Sequence, residues 1–149
     1  MSLRKEGFVA IAAVARADGL LRKDELNGLL GAARDAGLSA SDVSEVERAL
    51  RDAVPLADID FSGFGSAERA LTYALAHWLA AVDGIVNTQE LATLRELATK
   101  LDLPDLQLKA AAAAAFDIVC IPGGHRPEKF QFADLEARLR EKLPALMSR

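Results

Sequence analysis

The chain has 149 residues, of which 51% are hydrophobic, and this length suits one domain with a sizeable core. The formal net charge of −4 argues against nucleic acid as a partner, because nucleic-acid-binding domains usually carry a basic surface. The single cysteine, Cys120, excludes an internal disulfide and favours a reducing compartment, so we expect a cytoplasmic protein. The most apolar stretch, 110–121, is too short to cross a membrane, and the N-terminal residues lack the apolar core of a signal peptide.

Apolar residues recur with helical spacing along most of the chain, and no sustained alternation indicates a strand. The first half predicts helices over about 3–17 and 23–36, and Gly37 should stop the second of them. A third helix should start after Ser39 or Ser41, since either can cap its N-terminus, and should end before the first proline. The first half therefore predicts three consecutive helices.

A glycine-containing segment over 55–66 should connect this half to the next, with Phe61 and Phe64 holding it against the core. Three further helices are then predicted, over about 66–82, 87–101 and 104–118. The third contains a run of six alanines, which form helices readily and allow close packing. After a break at 121–127, a stripe of apolar residues predicts a last helix over about 128–147, as given by Phe132, Leu135, Leu139 and Leu143.

One pattern, Asp-Gly followed by five residues and Glu-Leu, occurs at 18–26 and again at 83–91. We call the shift that carries Asp18 onto Asp83 the repeat offset. The same offset relates apolar pairs on both sides: Ala15 with Ala80, Leu29 with Leu94, Ala33 with Ala98, and Leu38 with Leu103. Two copies are fewer than a solenoid needs. We therefore predict one all-α domain of about seven helices, built from two pseudo-symmetric three-helix repeats and a C-terminal helix, over about 3–54, 66–118 and 128–147.

The repeat offset also relates Ala13 to Trp78. If the first helices of the two repeats face each other, a large side chain meets a small one, which fills space well.

The acids of the repeated pattern are candidate metal ligands. Asp-Gly-x5-Glu is the second half of the EF-hand calcium loop, but the upstream ligand positions are Val14 and Arg16 in one copy and Leu79 and Ala81 in the other. A site for calcium or another divalent cation would therefore need both copies. Its predicted ligands are Asp18, Glu25, Asp83 and Glu90, with Asp24 and Asn87 nearby.

Helix capping is the alternative interpretation of the same residues. Asn87 and Glu90 have the spacing of a capping box, and Asp-Gly is an ordinary turn between helices. The sequence leaves both interpretations open.

An alanine-rich helix that ends in Ala-Asp-Gly, followed by Glu-Leu at the start of the next helix, resembles the TerB-like family associated with tellurite resistance. The matching segments are 17–25 and 82–90, and the resemblance covers both repeats. It implies an all-helical duplicated domain with an acidic cluster formed by Asp18, Glu25, Asp83 and Glu90. It also implies a non-enzymatic, cytoplasmic role in bacterial metal or envelope stress, with a membrane-associated or calcium-binding protein as partner.

No residue pattern indicates catalysis. His77 and His125 lack the spacing of zinc ligands, and His77 is expected to be a partly buried helix residue beside Trp78. Cys120 is expected to be buried and inert, because no group is placed to activate its thiol. Two functional alternatives to a partner-binding module stay open: a dedicated calcium sensor or buffer, and a structural subunit of a homo-oligomer without metal.

Overall fold

The computed structural model describes residues 5–15, 23–52, 55–81, 88–120, 137–139 and 141–142. Over these residues the chain is helical and contains no strand, so the predicted all-α class is confirmed. The α-helices are α1 Lys5–Ala15, α2 Lys23–Asp35, α3 Ala40–Arg51, α4 Ser66–Ala81, α5 Thr88–Leu101 and α6 Asp105–Cys120. A short 3₁₀ helix, Leu56–Asp58, lies between α3 and α4 and was not expected from the sequence.

The helices α1 and α4 form the centre of the core. Phe8 and Ile11 of α1 are fully buried, as are Leu71 and Leu75 of α4. Each such side chain contributes about 1.5–3 kcal/mol when it leaves water, so these two apolar helices are held inside the molecule rather than on its surface. They pack on each other, with α3 against α1 and α6 against α4.

The contact between α1 and α4 bears on the predicted pairing of Trp78 with Ala13. Trp78 is only 1% exposed, and Ala13 is partly buried against the same core. The first helices of the two halves therefore face each other as predicted. A direct contact between these two side chains stays a prediction.

The helices α2 and α5 lie outside this centre. Leu29 of α2 and Leu94 of α5 are both buried, which places the apolar stripe of each helix against the core. The helix α2 contacts α1 and α3, whereas α5 contacts α4, α1 and the 3₁₀ helix. The helix α2 thus packs on the α1–α3 side of the core, whereas α5 packs on both α1 and α4.

The ends of α2 and α5 have a similar backbone conformation. Gly37 follows α2 with φ of +89°, and its N–H donates to the Arg34 carbonyl at 3.0 Å. Asp102 follows α5 with φ of +54°, and its N–H donates to the Thr99 carbonyl at 3.1 Å. A residue in the left-handed region ends a helix because it turns the chain away from the helix axis. The predicted stop at Gly37 is confirmed.

Ser39 is the N-cap of α3. Its Oγ accepts a hydrogen bond from the Asp42 N–H at 3.2 Å, in an extended backbone conformation typical of this position. Of the two serines that the sequence offered, Ser39 is therefore the cap.

The segment between α3 and α4 is held to the core as predicted. Phe61 and Phe64 are buried and pack edge to face, with ring centroids 5.2 Å apart. The guanidinium of Arg69 donates to the carbonyl oxygens of Phe61 at 2.9 Å, Phe64 at 3.0 Å and Leu101 at 2.6 Å. Arg69 therefore joins the connecting segment, α4 and the end of α5.

The C-terminal region is described in part. Residues 137–139 and 141–142 are helical, Leu139 is fully buried, and Lys142 Nζ lies 3.1 Å from Asp117 Oδ2 of α6. These residues agree with the predicted last helix over 128–147. The remainder of that prediction lies outside the described residues.

Candidate functional site

Glu90 is the predicted ligand whose side chain the structure describes. It is the third residue of α5 and is only 7% exposed, one of few polar side chains buried in the described part of the chain. A carboxylate in the first turn of a helix interacts favourably with the N-terminal end of the helix dipole. Such a position suits either a capping role or a ligand role, and both interpretations remain predictions.

Glu25 occupies the equivalent place in α2. It is the third residue of that helix, and its backbone is helical. Its side chain and that of Asp24 lie outside the described residues, as do Asp18, Asp83 and Asn87 altogether. Convergence of the acids on one cation is therefore still a prediction.

The helices that flank the two corners are in contact. The first corner lies between α1 and α2, which pack on each other, and the second lies between α4 and α5, which also pack on each other. The helix α1 further contacts α4 and α5. Among the side chains that the structure describes, no group of three or more His, Cys, Asp or Glu residues is close enough to hold a metal ion.

His77 lies on α4 and is partly buried, as the sequence predicted. Burial lowers the pKa of its imidazole below the ordinary value of 6.5, because desolvation disfavours the charged form. Its Nδ1 is buried and has no hydrogen-bond partner among the residues that the structure describes. The centroid of the Tyr73 ring lies 6.1 Å from that of the imidazole, and the two ring planes are inclined by 49°. Burial raises the pKa of the Tyr73 phenol. Burial in the core thus favours the neutral form of the imidazole.

The prediction that Cys120 is buried was wrong. Cys120 is the last residue of α6, and it is exposed. The helix α6 is alanine-rich on several sides, so the sequence gives little indication of which side faces the core. Cys120 lies in line with the outward-facing residues Phe116 and Ala113, which places its thiol in solvent.

Two features were not anticipated from the sequence. The first is Arg69, which bonds two carbonyl oxygens of the preceding connecting segment and that of Leu101, 32 residues later; no local sequence signal indicates this combination. The second is the exposed side of α6, where Leu106 and Phe116 face solvent. Exposed leucine and phenylalanine on one helix are a candidate interaction surface, because such residues usually pack against another element.

Comparison with known proteins finds no family model, no curated protein and no solved structure that matches this chain. Within the described residues, no helix has the length and apolar character needed to span a bilayer.

Proposed function

We propose that this chain is a non-enzymatic, cytoplasmic helical module of the TerB-like type, which binds a protein partner in a metal- or envelope-stress system. In this proposal the two repeated corners together hold a divalent cation through Asp18, Glu25, Asp83 and Glu90. The observation that supports the proposal is the matched spacing of the helix starts in the two halves, together with a buried carboxylate, Glu90, in the second half.

The helix boundaries support two pseudo-symmetric repeats. The helices α2 and α5 begin at Lys23 and Thr88, and α3 and α6 begin at Ala40 and Asp105. Both pairs of helix starts are separated by the repeat offset, the shift between the two copies of the Asp-Gly-x5-Glu pattern. Equal spacing of independent helix starts supports a duplicated unit more strongly than the short sequence pattern does.

Backbone conformation and first-turn hydrogen bonds also match between residues related by the repeat offset. The left-handed residues Gly37 and Asp102 are related by the repeat offset. So are the first-turn hydrogen bonds from Val43 to Ser39, at 2.9 Å, and from Leu108 to Pro104, at 3.0 Å. In such a duplicated unit Glu25 and Glu90 occupy equivalent positions, and a two-fold relation would bring equivalent carboxylates to one axis.

Thermal unfolding with added calcium, magnesium and manganese tests the cation site. A cation that binds only the native state at 100 times its dissociation constant adds about 2.7 kcal/mol to the free energy of unfolding. We expect a rise in Tm with at least one of these ions, and loss of this rise in the double variant Asp18→Asn/Asp83→Asn. The matched control is Asp58→Asn, which removes an exposed acid of the connecting segment.

The outcomes separate the alternatives. Calorimetric titration without binding of any of the three ions would remove the cation from the proposal and favour capping by these residues. A calcium sensor would respond with a change in the emission of the buried Trp78, because its helices must rearrange on binding. A module with a static cation site would show the rise in Tm without that spectral change.

A further inference from the structure

We draw no further inference here: the strongest candidate, the exposed apolar side of α6 at Leu106 and Phe116, carries none because nothing in the structure shows what covers it.

Discussion

The left-handed conformation of Asp102 predicts that glycine at this position stabilises the protein. Asp102 has φ of +54°, and Gly37, which the repeat offset relates to it, has φ of +89°. The left-handed region costs an L-residue roughly 1–2 kcal/mol, and aspartate lies towards the lower end of that range. Glycine avoids this cost but loses about 0.4–1 kcal/mol more in backbone entropy on folding. Removal of a negative charge from the C-terminal end of α5 adds about 0.3–1 kcal/mol in favour of Asp102→Gly.

Asp52→Gly is the matched control for this substitution. Asp52 is the C-cap of α3 and is exposed like Asp102, but its φ is −113°, so it avoids the steric cost of the left-handed region. The entropy and charge contributions are common to both substitutions, so they cancel in the comparison. Asp102→Gly should therefore exceed Asp52→Gly in stability by about 1 kcal/mol, or about 2–4 °C in Tm for a chain of this size.

Urea denaturation followed by circular dichroism at about 222 nm, where α-helices absorb, measures the two free energies of unfolding. Gly37→Ala should show the reverse effect and cost about 1 kcal/mol, because a Cβ there meets no atom within 4 Å and the cost is conformational. Equal stability of Asp102→Gly and Asp52→Gly would show that the end of α5 is not strained. The proposed equivalence of the two helix ends would then lose one of its supports.

Three further predictions concern single side chains. Ser39→Ala should destabilise the protein by about 1 kcal/mol in urea denaturation, because the Asp42 N–H loses its acceptor, whereas Ser41→Ala should have little effect. Arg69→Lys should cost about 2–4 kcal/mol, since one ammonium group cannot bond three carbonyl oxygens at once, and Arg95→Lys at an exposed site of α5 is the control. His77 lowers stability in acid: its folded pKa is depressed below 6.5, so the unfolded chain takes up the proton first as pH falls. His77→Gln should therefore reduce the loss of Tm below about pH 6.5, and an unchanged pH profile would contradict the burial of the imidazole.

Much of the local structure could be predicted from the sequence because its signals act over a few residues. Gly37 stops α2, Ser39 caps α3, and apolar spacing places Leu29 and Leu94 in the core. The spacing of the repeated acids also agrees with the spacing of the helix starts. Turn, cap and periodicity depend on neighbouring residues, which a single sequence contains in full.

The candidate cation site depends on more than local signals. Whether carboxylates from two corners meet depends on how α1, α2, α4 and α5 are placed around one another. The structure shows which of these helices are in contact and shows that Glu90 is buried. The helical periodicity of each segment specifies its own apolar side, but it does not specify the distance between two turns that lie in different halves of the chain.

The chain's own pattern of turns, caps and apolar residues was sufficient to predict an all-helical fold. It also predicted helix ends close to those in the structure. Packing was needed to determine which side of the alanine-rich α6 faces inward. Alanine can be buried or exposed at small cost, so the contact with α4 determines that Ala111 and Ala114 are buried while Phe116 and Cys120 face solvent. Packing also determines the hydrogen bonds of Arg69. Its three carbonyl acceptors come together only when the connecting segment and α5 have packed on α4.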